Sequence, residues 1–149
     1  MSGLDTNALG LEFHHLGLAV RRPRDATLWL GGLGYEIGEP IYDPEQNINL
    51  LMCRHKGAMP DVEIIFPGKT KSPADTYISL NRDGIVYHVC YVARDFAATL
   101  KWMEENGVRA ICVSPPTPAV LFGGCLVSFY NIVGMGLCEI IEDPDHTVA

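Results

Sequence analysis

Four side chains able to hold a metal recur at matched places in this chain: His15, Glu63, His88 and Glu139. Each histidine lies in a short apolar run that reads as a strand, Phe13 to Val20 for the first and Tyr87 to Val92 for the second. Strand side chains alternate between two faces, so His15 shares a face with Gly17 and Ala19, and Leu16, Leu18 and Val20 take the other. An imidazole beside small residues is a poor core pattern and a good pocket wall. Each glutamate is flanked by apolar residues, in Val62-Glu63-Ile64-Ile65 and in Cys138-Glu139-Ile140-Ile141. A charged carboxylate in such a strand is costly unless something neutralises it. Two imidazoles and two carboxylates around one divalent cation meet that need. Mixed nitrogen and oxygen donors suit Zn, Co, Ni, Mn or Fe(II) better than Cu(I) or Ca, and water or substrate can take the remaining positions.

The elements that must position these groups form a repeat. His15 and His88, Trp29 and Trp102, and Gly34 and Gly107 are each separated by 73 residues. Glu63 and Glu139 are 76 apart, so the second copy has gained three residues, most simply between Ser114 and Gly124. The first copy reads as a strand from about 12 to 20, a turn through Arg21, Arg22 and Arg24, and a helix capped by Asp25. That helix is expected to set Leu28 and Trp29 against the core and to stop at Gly34. Strands follow over 35–41, 48–53 and 62–66. Ser72-Pro73 opens a short helix to about Leu80 inside a polar connector. The second copy repeats the order, with a strand over 85–92, a helix over about 96–106, and strands over 109–113, 126–131 and 137–141.

These spans predict an α+β fold. Two paired βαβββ modules, about residues 12–67 and 85–142 with a connector over 68–84, form a half-open mixed sheet around a metal site. The 149 residues fit one domain with two repeats, and residues 1–11 read as a loose tail. A net charge of −7 argues against nucleic acid or an anionic membrane surface as partner. No apolar run approaches the roughly 20 residues of a membrane span, and no signal peptide is evident, so the expected location is the cytoplasm. Five cysteines without a C-x-x-C pair are expected as reduced thiols.

The motifs His15-Leu16-Gly17-Leu18-Ala19-Val20, Val62-Glu63-Ile64-Ile65-Phe66-Pro67, Ser72-Pro73-Ala74, Tyr87-His88-Val89-Cys90-Tyr91-Val92 and Gly136-Leu137-Cys138-Glu139-Ile140-Ile141 resemble the vicinal oxygen chelate superfamily. That superfamily takes in glyoxalase I, methylmalonyl-CoA epimerase, extradiol dioxygenases and bleomycin-resistance proteins. The Pro67 to Ser72-Pro73 region and the His88 strand are most similar to the epimerases. The resemblance implies that His15, Glu63, His88 and Glu139 hold the metal, and that a proton is removed next to a metal-bound carbonyl, on an acyl thioester. It places Asn49 where the epimerases carry a catalytic glutamate, and Tyr130-Asn131-Ile132 where they carry a His-Pro-Lys turn. Glu139 or Glu63 would then be the base. Gly17, Ala19, Asn49, Cys90 and the loop from Pro115 to Gly124, ending in Gly123 and Gly124, are expected to line the substrate pocket, with that loop as a lid. The same resemblance makes a homodimer plausible. Two other functions fit: glyoxalase I (lactoylglutathione lyase) acting on a glutathione hemithioacetal, and a non-catalytic ligand-binding or resistance protein. An extradiol oxygenase fits less well, because two histidines and one carboxylate suffice for it and Glu63 is a fourth ligand.

Overall fold

The computed structural model describes residues 7–80 and 83–148. Most of the expected tail, and two residues of the expected connector, lie outside the described residues. In chain order the elements are β1 (Leu11–Ala19), α1 (Pro23–Gly32), β2 (Glu36–Ile37), β3 (Ile41–Asp43), β4 (Ile48–Arg54), β5 (Asp61–Pro67), α2 (Pro73–Leu80), β6 (Ile85–Ala93), α3 (Phe96–Glu105), β7 (Ala110–Pro118), β8 (Leu126–Ile132) and β9 (Gly136–Glu142). A 3-10 turn spans Val120–Phe122. Nine strands and three helices among the described residues make this the α+β fold that the repeat predicts. No described helix is long and apolar enough to cross a membrane.

The chain divides into two compact units, residues 14–89 and residues 1–13 with 90–149, and the division falls inside β1 and β6. In the first unit the strand order is β2-β4-β5-β1, with β3 also paired to β4. β1 runs parallel to β5, and β4 antiparallel to β5, so this sheet is mixed. Its core layer lies against α1: Val20, Leu30, Tyr35, Leu51, Cys53, Val62 and Ile64 are buried there, with Leu18, Ala26 and Phe66 packed on them. The Tyr35 hydroxyl donates to the Pro60 carbonyl at 2.5 Å, so its polar end is satisfied. In the second unit the order is β6-β9-β8-β7. Ala93, Phe96 and Ile140 form its core, with Leu11, Tyr91 and Tyr130 against them.

Two of the three described helices start on side-chain hydrogen bonds at their first turn. Asp95 is the N-cap of α3 and accepts from the Ala98 N–H at 3.1 Å. At α2, Asp75 accepts from the Ser72 N–H at 2.8 Å, one half of a capping box with aspartate at the third position. The expected cap of α1 is corrected: Arg22 is the cap residue, Pro23 opens the helix, and Asp25 falls in the first turn. The buried face of α1 is also corrected, because Leu28 is 62% and Trp29 72% exposed while Leu30 is buried. The expected strand over 35–41 is split into β2 and β3. Gly38 crosses so close to β4 that a β-carbon there would lie 2.7 Å from the Met52 carbonyl oxygen. β7 is longer than expected and runs through Pro118, with register shifts on either side of Ser114. Two extra residues therefore enter as bulges in an edge strand, and the start of the expected lid loop, through Pro118, is strand.

Candidate metal centre

Strand register decides which side chains share a surface, since directly paired residues point the same way. On β1 and β5, Leu18 pairs with Ile64 on the helix-covered face, and Gly17 pairs with Glu63 on the opposite face. His15, two residues from Gly17, shares that opposite face. The alternation expected for β1 is thus the one observed. β4 extends the same surface: Met52 pairs with Glu63 and Leu50 with Ile65. His88, from β6, completes the group.

His15, Glu63 and His88 each supply one ligand atom, and these atoms lie within 4.8 Å of one another. His15 Nε2 is 3.8 Å from Glu63 Oε1, and the two imidazole centroids are 5.7 Å apart and nearly perpendicular. All three residues are at most 2% exposed. A first-row divalent ion takes nitrogen and oxygen donors at about 2.0–2.2 Å, so two donors on one ion lie about 3–4 Å apart. The spacing, the burial and the nitrogen–oxygen donor set fit such an ion.

Two neighbours hold the imidazoles. His14 Nδ1 and His15 Nδ1 are 2.8 Å apart, a hydrogen bond in which one ring donates. With His15 as donor, its Nε2 lone pair is directed away from His14, the arrangement found when a ligating histidine is fixed through its other nitrogen. The Tyr87 ring meets His88 edge-on at 4.4 Å and in turn packs on Tyr77 at 4.7 Å. From the sequence alone no role is assigned to His14 or Tyr87. The tandem His14-His15 is the signal that marks the first of them.

Glu139 lies in the other unit, on β9. It is 3% exposed and pairs with Phe129, while its neighbours Cys138 and Ile140 pair with Tyr130 and Ser128. Ile140 belongs to the core under α3, so Glu139 occupies the face away from that helix, as Glu63 faces away from α1. Cys90 is fully buried.

Gly123 and Gly124 are exposed, with φ of +62° and +84°, a conformation that selects glycine. Asn49 needs a correction. It pairs with Phe66 and shares its face of β4 with Leu51 and Cys53, the helix side. Its amide donates to the Pro67 carbonyl at 3.1 Å. The residues of β4 on the Glu63 face are Ile48, Leu50 and Met52. Three buried apolar side chains thus stand where a polar group was expected.

Known proteins share this fold. The family model of the glyoxalase/bleomycin resistance protein/dioxygenase superfamily matches residues 14–129. An ethylmalonyl-CoA/methylmalonyl-CoA epimerase of Cereibacter sphaeroides is 25% identical over 133 residues, covering 81% of this chain and 98% of that protein. The mitochondrial methylmalonyl-CoA epimerase of Dictyostelium discoideum is 23% identical, covering 88% and 78%. Among solved structures, methylmalonyl-CoA epimerase from Mycobacterium tuberculosis superposes with a TM-score of 0.71 at 19% identity, covering 92% of this chain and 91% of that one. A methylmalonyl-CoA epimerase in complex with methylmalonyl-CoA and NH4+ gives 0.67 at 17%, covering 93% and 98%.

Proposed function

Because the chain belongs to the glyoxalase/bleomycin resistance protein/dioxygenase superfamily, we propose that it is an epimerase-type enzyme acting on an acyl thioester. In this reading it moves the proton on the carbon next to the thioester carbonyl. The observation that carries it is the convergence of His15, Glu63 and His88, three buried donors within 4.8 Å of one another. The curated relatives, both epimerases of malonyl-type CoA esters, supply the substrate class.

In this proposal Glu139, the repeat mate of Glu63, is the fourth donor to one divalent ion. A bound ion would supply Lewis-acid polarisation of a carbonyl oxygen, which lowers the cost of developing negative charge there. The rest falls to the chain's own residues. His15 and His88 would each offer one ring nitrogen to the ion, with the His15 ring fixed through His14. Glu63 and Glu139 are the candidate proton carriers, because the Glu63 face of β4 offers only Ile48, Leu50 and Met52. A carboxylate oxygen takes the proton from the α-carbon and returns it to either face. The apolar β4 surface keeps water from competing for that carboxylate.

The test is proton exchange. Metal-loaded protein incubated with methylmalonyl-CoA in deuterium oxide should place deuterium at the α-carbon faster than a sample without protein. Activity instead with methylglyoxal and glutathione, and none with acyl-CoA esters, would move the assignment to a glyoxalase I reaction.

A further inference from the structure

The second unit contains a cavity of about 480 Å³ that is separate from the candidate metal centre. It lies between α3 and the helix-facing side of that unit's strands. Phe96, Thr99 and Met103 of α3 form one wall, and Tyr130, Cys138 and Ile140 form the opposite one. Among the described residues that line it there is no aspartate, glutamate, lysine, arginine or histidine.

The repeat supplies an internal control for this space. In the first unit the same layer is filled by Leu30, Tyr35, Val62 and Ile64 beneath Ala26. Their counterparts at the repeat spacing are Met103, Val108, Cys138 and Ile140 beneath Thr99, and all five line the cavity. Tyr35 has become Val108, which removes a whole ring, and Val62 has become Cys138. Leu30 has become Met103, whose unbranched thioether adapts to what it meets. The fold therefore does not require the gap, since one copy closes it. At these two positions the second copy carries less bulk, while Tyr91 and Phe96, where the first copy has Leu18 and Pro23, place aromatic rings on the cavity wall.

The cavity also has a wall of its own. Residues 7–11 run across it, held by the Thr99 hydroxyl donating to the Leu9 carbonyl at 2.7 Å. The Asn7 amide closes the same segment on the Leu11 carbonyl at 2.9 Å. One side-chain hydrogen bond, from Thr99, thus ties the segment to α3, and the Asn7 bond shapes the segment internally.

We propose that this cavity is a second ligand site, which takes an uncharged apolar small molecule beneath α3. The volume is within the range of about 300–1,000 Å³ usual for small-molecule pockets. The uncharged lining selects against ionic ligands, because a buried charge would find no partner there. A ligand at this site is a different molecule from a charged acyl-CoA ester.

Nile red is the probe, with decanol as competitor and fluorescence as the readout. The full chain should bind the dye saturably, and decanol should displace it. Val108→Phe refills the place of the lost ring and should weaken binding by about tenfold or more with the melting temperature kept or raised. If that variant does not fold, Val108→Met adds less bulk and should weaken binding by a smaller factor. Absence of saturable binding, or binding indifferent to both substitutions, overturns the proposal. So does binding seen only after residues 1–6 are removed, because the chain's own terminus would then be the occupant.

Discussion

A β-carbon added to Gly17 would lie 2.2 Å from Cε1 of His88. Gly17 therefore leaves the space in which the second imidazole sits, and pairs with Glu63 on the strand beside it. The clash is with a ring held by Tyr87 and packed among buried groups, so the imidazole cannot simply swing aside. Gly17→Ala should displace His88, at a cost of about 1–3 kcal/mol in stability. Metal affinity should fall more than thermal stability alone implies. Metal titration beside a melting curve checks this, and unchanged metal affinity would contradict it.

His14 should matter for the same centre without touching the ion. Its Nδ1 is hydrogen-bonded to His15 Nδ1, and partners of this kind typically set metal affinity by about 10–100-fold. His14→Phe removes the hydrogen bond and keeps the ring. The expected outcome is weaker metal binding with the fold retained, measured by competition with a chelator. His14→Gln, which can restore an acceptor, should recover part of the loss.

Asp143 makes the acid stability of the second unit predictable. Burial pushes its carboxyl up, but hydrogen bonds from the Val148 and Thr147 N–H groups, the Thr147 hydroxyl and Arg94 outweigh that, and it is held well below the ordinary 3.8. Arg94 also pairs with Glu12 at 3.0 Å. A carboxylate whose folded value is depressed stabilises fully above its unfolded value and loses that contribution as pH falls through the folded one. Wild type should therefore lose stability on acidification below about pH 4. Asp143→Asn should cost about 2–3 kcal/mol near neutrality and show a shallower loss in acid. Melting temperatures across that pH range measure both.

The two candidate proton carriers can be separated from their role as ligands. Glu63→Gln keeps an oxygen donor and removes the basic carboxylate. If Glu63 is the carrier, deuterium exchange at the substrate α-carbon should fall by about 10²–10⁴-fold while most of the metal is retained. If Glu139 is the carrier, Glu139→Gln should show that pattern instead. Full exchange activity in both variants would remove the carboxylates from the chemistry.

The duplicated framework is legible in the chain because two histidines, two tryptophans and two glycines recur at one spacing. The face of β1 follows from simple alternation around His15. The face of β4 does not. Ile48, Leu50, Leu51, Met52 and Cys53 are apolar on both sides of the strand, so period-two alternation is absent and only the family resemblance places Asn49 in the pocket. Pairing with β5 settles it the other way. The phase of α1 is hidden for a related reason, since Leu28, Trp29 and Leu30 are consecutive and only one of them can point inward. The Gly38 crossing and the bulges of β7 are long-range features, set by partner strands distant in sequence.

Metal stoichiometry in the purified protein, compared with Glu139→Ala and His88→Ala, tests the central claim most directly. The account predicts about one divalent ion per wild-type chain and loss of most of it in either variant, with far-ultraviolet circular dichroism unchanged. Wild-type protein that takes up no divalent ion when dialysed against zinc, cobalt, nickel or manganese would contradict it. So would variants that bind as tightly as wild type.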